Sequence, residues 1–591
     1  MPSVADFAHG NLLESSSRTR LIFWMLAAGA VTGLAAAAYL SLGSSYALAR
    51  LRRVALVLAP LTLIGLLPAL LEKDVWQDTL VAALAIGVFT LLLERLLRIS
   101  FAAFDGVNRN VAQYQPSRRW RRAALVIVWI AALFYAGYMS TFTVFAHRRF
   151  RTFNFDLGQY DNVFWNALHG RPLVCSSLTG SFENWSSFSS HADLGVYVLL
   201  PFYALYPHAE TLLVLQSSIL GLGAIPLYLF AVRRLPPSYA CALAICYLLY
   251  APMHGSNLYD FHLQPLAGTF VLLTIWAVDA KRWFWLTISF ISALICREDI
   301  SVGLAMLGLY LLFARHRANA GWKMALVAAT YFVVMRFAIM PIFGTGWFFA
   351  IYKDLYPQPN GPFSYGGVMQ TLLTNPTFVF RTLLKADKLK YFLQITAPVA
   401  FLPLRRAYLL PALVPGAMFT LLTTEYGPTT DIAFQYSGHF TPYIFAASAV
   451  ALASYRGAPP AVFRAVGVAL AVGTLLTTRM WGAFPPTGPV RGGFAQVTFA
   501  RPTSADAQKE RDLQELVAMI PPDAPFAVSE EELPHVSGHL KVLELRDGLP
   551  AAQYVLFSPT GGGGVHGAQA LASGEWVEVA SRPGLQLIRK K

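Results

Sequence analysis

Charge is what this sequence has least of. Asp, Glu, Lys and Arg make up 13% of its 591 residues, against roughly 25% in soluble domains. A soluble enzyme with an ordinary charged surface is therefore excluded, and at 55% hydrophobic residues so is a disordered chain. Cysteine is nearly as scarce. Cys241, Cys246 and Cys296 lie inside apolar runs and Cys175 stands alone, which leaves no disulfide framework and no zinc spacing. No cleavable signal pattern opens the chain: residues 1–17 are mixed and polar, and the first apolar run, 21–43, is too long for a signal core. His-Glu-x-x-His, Gly-x-Ser-x-Gly and the nucleotide-binding glycine fingerprint are all missing, which argues against a metalloprotease, a serine hydrolase and a nucleotide-driven transporter. The run Gly561 to Gly564 reads as a flexible loop, since no Lys-Ser/Thr follows it to hold phosphate.

What is abundant is apolar sequence at bilayer-spanning length. Candidate spans are 21–43, 54–71, 77–97, 123–145, 210–232, 238–253, 263–280, 283–297, 299–314, 323–343, 390–404, 407–424, 440–455 and 461–478, about fourteen in all. The expected fold is a polytopic α-helical membrane protein, with several spans short enough to be tilted or broken. Lys and Arg exceed Asp and Glu by 46 − 32 = 14, and the excess sits in short loops between apolar runs. That is the positive-inside pattern and not a nucleic-acid stripe, because no soluble segment interleaves basic and stacking aromatic residues.

The richest basic loop, 95–122, is placed in the cytoplasm, and alternation puts five further basic loops on the same side. Parity then decides 193–207, DLGVYVLLPFYALYP: counted as a span it would invert every later loop, so an interfacial helix is expected. The opposite face receives 146–209, 252–263, the 297–299 corner, 344–389, 425–439 and the tail. The expected units are an N-terminal set of extra helices (1–122), a membrane core (123–480) with first external loop 146–209, and an extracytoplasmic α/β domain (481–591). The last is signalled by the helix KERDLQELVAMI and the strands FAVS, KVLEL, YVLFS, EWVEVA and LQLIR.

The polar residues worth explaining crowd these outer loops. In FNFDLGQYDNVFWNALHGRPL and SFENWSSFSSHADLG stand Asp156, Asp161, Glu183, His191 and Asp193, among Phe155, Tyr160, Trp165 and Trp185. A carboxylate at a water–lipid boundary can act as general base, metal ligand or sugar-hydroxyl acceptor; either Asp156 or Asp161 alone would serve equally well as a helix cap. Asp260 and His262 (NLYDFHLQP) and Arg297, Glu298 and Asp299 (CREDIS) stand at span ends, and Arg336 lies inside the run YFVVMRFAIM. Ionisable groups at membrane depth are costly and mark functional positions, and Arg336 calls for an anion such as a phosphate. Gln435, Tyr436 and His439 (QYSGHFTPY), with Lys353, Asp354, Lys385 and Lys388, complete the set. The lysines suit either a phosphate-bearing lipid or plain snorkelling.

Taken in order, FDLGQYDNVFWNALHGRPL, SSHADLGVYVLLPFYALYP, LLVLQSSILGLGAIPLYLFAVRRL, YDFHLQPLAG, REDISVGLAMLGLYLL, FQYSGHFTPYIFAA and MIPPDAPFAVSEEELPHVSG resemble the bacterial membrane-protein family catalogued as domain of unknown function 2079, over roughly residues 125–591. That family in turn looks like the C-type, polyprenyl-phosphate-sugar-dependent glycosyltransferases. The resemblance implies a bacterial inner-membrane enzyme that takes a sugar from a polyprenyl-phosphate donor and passes it, on the outer face, to a glycan, lipid or protein acceptor. It implies Asp156 as the acidic catalytic residue with Asp161 as competitor, and His191 at the juxtamembrane lip. Arg297 and Arg336 are phosphate-binding candidates; Asp260, His262, Glu298, Gln435, Tyr436 and His439 are expected to line the site. FDLG carries one Asp and no adjacent acidic pair, so no cofactor is expected beyond a divalent metal left open. The competing readings are a transporter or flippase of a lipid-linked or polar substrate, for which no inverted repeat is visible, and a non-catalytic assembly protein.

Overall fold

The computed structural model describes residues 15–41, 43, 46–71, 73, 78–105, 118–178, 186–344, 347–355, 365–486 and 488–591. Among them, seven helices are long and apolar enough to cross a membrane: Ile22–Ser41, Ala47–Leu71, Thr79–Asp105, Arg118–His147, Ala209–Ala231, Ala318–Phe343 and Pro460–Trp481. Shorter apolar helices are Leu263–Asp279, Trp283–Leu294, Ile300–Phe313, Ala407–Phe419 and Thr441–Ala453.

Several expected spans are broken, and proline and left-handed residues mark the breaks. The 390–404 run is helical over Ala386–Thr396 and then stops, with Pro398 next and Ala400 and Phe401 at φ of 49° and 56°. The 407–424 run starts as a 3₁₀ segment, Ala407–Leu413, around Pro411 and is α-helical only over Val414–Phe419. The 238–253 run divides into Pro237–Leu248 and Ala251–Leu258, the second opening with Pro252. The helix at Gly195–Tyr203 has 9 residues; at 1.5 Å per residue it reaches roughly 14 Å, half a bilayer core.

Packing separates a buried core from outlying helices. Ile22–Ser41 has none of its apolar window buried, whereas Ala209–Ala231 has 61% buried. Thr79–Asp105 joins the core through Ile86 and Phe89 against Leu476 and Met480, and through Glu94, which pairs with Arg405 at 2.6 Å. Close backbone approach replaces hydrophobic driving force elsewhere: a Cβ on Gly308 would lie 2.6 Å from the Gly321 carbonyl oxygen. Only glycine at both positions lets Ile300–Phe313 and Ala318–Phe343 meet this closely.

After Trp481 the chain makes a small hairpin, β1 (Val490–Gly492) and β2 (Ala495–Val497), whose Val490 and Val497 belong to the membrane core's own apolar cluster. The α/β domain proper begins with helix Ser504–Val517, started by a Thr503–Asp506 capping box. Its sheet has order β4 (Val542–Glu544), β3 (Phe526–Val528), β5 (Tyr554–Phe557), β7 (Leu585–Lys590), β6 (Trp576–Arg582). β3 runs parallel to β4 and β5, while β7 is antiparallel to β5 and β6. All five strands fall on sequence runs expected to be extended. The glycine run does not stay a loop, since helix Gly564–Ala572 starts inside it.

Candidate active site

Helix Arg118–His147 ends at His147, and Phe150, at φ 57°, turns the chain back into the apolar core of the α/β domain beside Leu513, Leu516 and Val528. From Phe153 the chain is extended, then enters a π-helical turn, Asn154–Gly158, that continues as helix Gln159–Leu168. π turns widen a helix and occur often at functional positions. Here the turn carries Asp156, and the α/β domain holds its first residue, since the Asn154 amide donates to the Glu530 carbonyl oxygen at 3.0 Å.

Asp156 meets His262 across the core, Oδ1 to Nε2, at 2.7 Å. His262 is fixed from three sides. Its amide donates to Gln216 Oε1 at 2.8 Å, its Nδ1 lies 3.1 Å from the Tyr259 carbonyl oxygen, and Gln216 Nε2 also donates to the Asp260 carbonyl oxygen at 2.6 Å. Both ring nitrogens face oxygen atoms, which fixes the orientation of the ring. Asp260, left-handed at φ 46°, is buried and accepts from the Phe153 amide at 3.1 Å. Burial, and then the Asp156 charge, push its carboxyl well above the usual range.

A second buried cluster stands beside the first. His191 Nδ1 lies 3.0 Å from Glu298 Oε1, and the Ala192 amide donates to Glu298 Oε2 at 2.9 Å. Arg297 grips Asp299 with both arms of its guanidinium, and His439 Nε2 sits 3.3 Å from Asp299 while stacking on Phe419. Burial alone would raise Asp299, but Arg297 and His439 overrule it and hold the carboxyl below its ordinary value. Tyr160 donates to Asp193 Oδ2 at 2.9 Å, and Asp193, chiefly through burial, is pushed up to about 6.

The two clusters open into one cavity of about 1060 Å³, lined by Asp156, His262, His191, Arg297, Gln435 and Tyr436, with Asp193, Gln159, Tyr160, Tyr259, Tyr426 and Phe494 among the remaining walls. Glu298 and His439 stand behind His191 and Arg297, and Asp260 stands behind the Asp156–His262 pair. Two residues expected at the site lie elsewhere. Asp161 turns to the α/β domain, accepting from Ser537 at 2.6 Å and Tyr203 at 2.8 Å. Arg336 is buried in a second π turn, Met335–Ile339, with Nη1 3.8 Å from Met340 Sδ. Trp165 lies tilted against His169, ring centroids 4.2 Å apart, and Lys388 is consumed by the Leu421 and Thr423 carbonyl oxygens, each at 2.6 Å. Glu183 and Trp185 lie outside the described residues.

Three lining residues lie beyond the membrane core's last helix and carried no sequence signal: Phe494 of the hairpin, and Glu530 and Arg546 of the α/β domain. Arg546 lies 4.7 Å above the Phe155 ring. Gln216 was also missed, although an amide in the middle of an apolar helix is a signal that could have found it. As for a metal, no group of three His, Cys, Asp or Glu among the described residues is arranged to hold one. Asp156 Oδ1 is already bonded to His262.

The family model described as "Predicted membrane protein (DUF2079)" matches residues 146–557. No curated protein matches. Among solved structures, the crystal structure of ArnT from Cupriavidus metallidurans bound to undecaprenyl phosphate is similar over 78% of this chain and 97% of that one, at 14% identity and a TM-score of 0.45.

Proposed function

The chain belongs to the membrane-protein family of domain of unknown function 2079, and from that premise we propose that it is a glycosyltransferase using a polyprenyl-phosphate sugar donor on the extracytoplasmic face. The observation that carries the reading is the convergence of the Asp156–His262 pair, His191 backed by Glu298, and Arg297 on one cavity at the loop-bearing end of the helices. The resemblance of the first external loop to that of C-type glycosyltransferases supports the same reading.

The chemistry follows from charge movement. An acceptor hydroxyl oxygen attacks the anomeric carbon, the bond from that carbon to the phosphate oxygen breaks, and the hydroxyl proton passes to Asp156. A single displacement inverts the anomeric centre. Negative charge grows on the departing lipid phosphate, and the Arg297 guanidinium, with His191 beside it as a donor, stabilises it. His262 orients the Asp156 carboxylate. Glu530 and Arg546 line the cavity from the α/β domain.

Purified protein incubated with labelled polyprenyl-phosphate sugars and membrane extract tests this. Wild type consumes the donor, and Asp156→Asn slows consumption by about 10²- to 10⁴-fold, the usual worth of a general base. No consumption by wild type removes the transferase reading. Equal rates remove only the assignment of the base.

A further inference from the structure

Helix Leu263–Asp279 starts beside His262 in the reaction cavity and ends at a second cluster of charge. Its 17 residues rise roughly 25 Å, close to the thickness of a bilayer core, so this cluster stands at the other membrane boundary. Asp279 is the carboxylate there. Arg233 Nε donates to its Oδ2 at 2.7 Å, Arg234 grips both oxygens, and His316 Nε2 lies 3.3 Å from Oδ1. Arg317 donates to the Asp279 carbonyl oxygen at 3.3 Å, and Arg456 to that of Arg234 at 2.8 Å. Four guanidiniums share one carboxylate, so positive charge is in excess. It is also within reach, since the Arg233 side chain is 45% exposed.

Beneath this basic rim lies a cavity of about 250 Å³ that shares no described lining residue with the reaction cavity. Its charged walls, Arg234, Asp279 and His316, all belong to the rim, and the Arg234 guanidinium lies 4.0 Å above the ring of Phe230 in the wall below. Gly303, Met306, Leu307, Tyr310, Leu311 and Ala314 line it at helical spacing, one face of a helix over roughly 16 Å. At the far end a Cβ on Gly303 would run into the Tyr443 hydroxyl. The result is a deep apolar slot with a cationic mouth.

Such a slot admits hydrocarbon, because a polar solute would leave its donors and acceptors unmatched along these walls. Hydrocarbon alone gains little by leaving a bilayer whose tails are as apolar as leucine. Affinity must then come from the rim, and the rim selects negative charge. Basic pockets between spans hold anionic headgroups in this way. We propose that the slot is a binding site for an anionic phospholipid, with one acyl chain between the helices and the phosphate on Arg233 and the rim around it. The site is separate from the reaction cavity and does not rest on the transferase reading.

The test is lipid binding by the full chain in neutral detergent, read by native mass spectrometry, with phosphatidylglycerol and phosphatidylcholine of the same acyl chains as probes. Wild type should hold one equivalent of phosphatidylglycerol about tenfold more tightly than phosphatidylcholine. Arg233→Gln should lower that preference several-fold. Arg53→Gln, which removes an exposed charge from the loosely packed span Ala47–Leu71, should leave it unchanged. Ala446→Phe, which fills the slot, should weaken binding of both lipids while keeping the wild-type melting temperature in the absence of lipid. Equal binding of the two lipids by wild type overturns the proposal. So does an equal loss in Arg233→Gln and Arg53→Gln, which would make the attraction a property of the whole basic face. Wild-type binding by a folded Ala446→Phe takes the chain out of the slot and overturns it as well; if that variant does not fold, the two arginine variants decide. Displacement of the bound equivalent by undecaprenyl phosphate would give the slot to a polyprenyl tail, again against the proposal.

Discussion

Glu530 holds a proton to near neutrality. Burial, and then Glu544, raise its carboxyl from 4.5 to about 7, with Asp156 and Glu531 adding to the effect and Arg546 opposing it. Because the folded value lies above the unfolded one, the folded chain takes up the proton; this contribution to stability is complete below about pH 4.5 and is lost as pH rises towards 7. The same proton sets the charge of the cavity. At pH 8 Glu530 adds a negative charge beside Asp156 that is absent at pH 6, so a phosphodiester lipid, whose own charge is constant there, should bind several-fold more weakly at pH 8. Glu530→Gln should retain the pH 6 affinity at pH 8, and binding of undecaprenyl-phosphate glucose at the two values checks it. An unaltered pH dependence in the variant assigns the effect to another group, Asp193 being next at about 6. Glu530 also shows where sequence reading stops. Asp156, His191, His262 and Arg297 stood out because charge is scarce in apolar, aromatic surroundings. Glu530 and Arg546 lie in a stretch of ordinary soluble composition, where a charged side chain marks nothing.

The π turn at Asn154–Gly158 is an element that periodicity does not reveal, because it is held open from outside by the Glu530 carbonyl oxygen. Its last residue is tightly enclosed. A Cβ on Gly158 would sit 2.8 Å from Asn154 Oδ1 and 3.0 Å from Leu533 Cδ2, one contact within the turn and one with the α/β domain. Gly158→Ala gains helix propensity of about 1 kcal/mol yet forces one of these contacts to give, at about 1–3 kcal/mol. The expected result is a lower melting temperature and slower donor consumption, since Asp156 shifts with the turn. Gly137→Ala, where nothing lies within 4 Å of the added carbon, should leave both unchanged. Thermal unfolding and turnover measured on the pair separate enclosure from a general intolerance of glycine replacement. Elsewhere the elements follow the sequence where the pattern is strong: the five strands of the α/β domain's sheet and the long helices coincide with their runs. The break at Ala400 and Phe401 does not, because composition there is as apolar as in a span and Pro398, which a span tolerates, is the one sequence mark beside the left-handed backbone that ends the helix.

At the scale of the molecule the α/β domain is bolted to the first loop of the core. Phe150 fills its apolar centre, Asn162 Nδ2 donates to the Ser537 and His539 carbonyl oxygens, each at 2.8 Å, and Ser176 Oγ donates to the Val542 carbonyl oxygen at 2.8 Å. Asp161 is the acceptor at the centre of this joint, taking the Ser537 and Tyr203 hydroxyls. In sequence Asp161 and Asp156 are alike, two aspartates five residues apart among aromatics, and nothing local tells a base from a bolt. The fold separates them, because the π turn aims one into the cavity and the following helix aims the other at Ser537. Their substitutions should therefore fail differently. Asp161→Ala strands two buried hydroxyls at about 1–3 kcal/mol each, loosens the domain, and should raise protease cleavage within the 482–503 connection while slowing turnover, because the domain wall carrying Glu530 is no longer held against the cavity. Ser537→Ala should reproduce part of that effect, and the double variant should cost less than the sum of the two, as expected for residues in direct contact. Asp156→Asn should slow turnover at least as much and leave cleavage as in wild type. Limited proteolysis and turnover on the three single variants decide it. Unchanged cleavage in Asp161→Ala with turnover lost would move Asp161 back into the chemistry, and the docking of the α/β domain would have to rest on Phe150, Asn162 and Ser176.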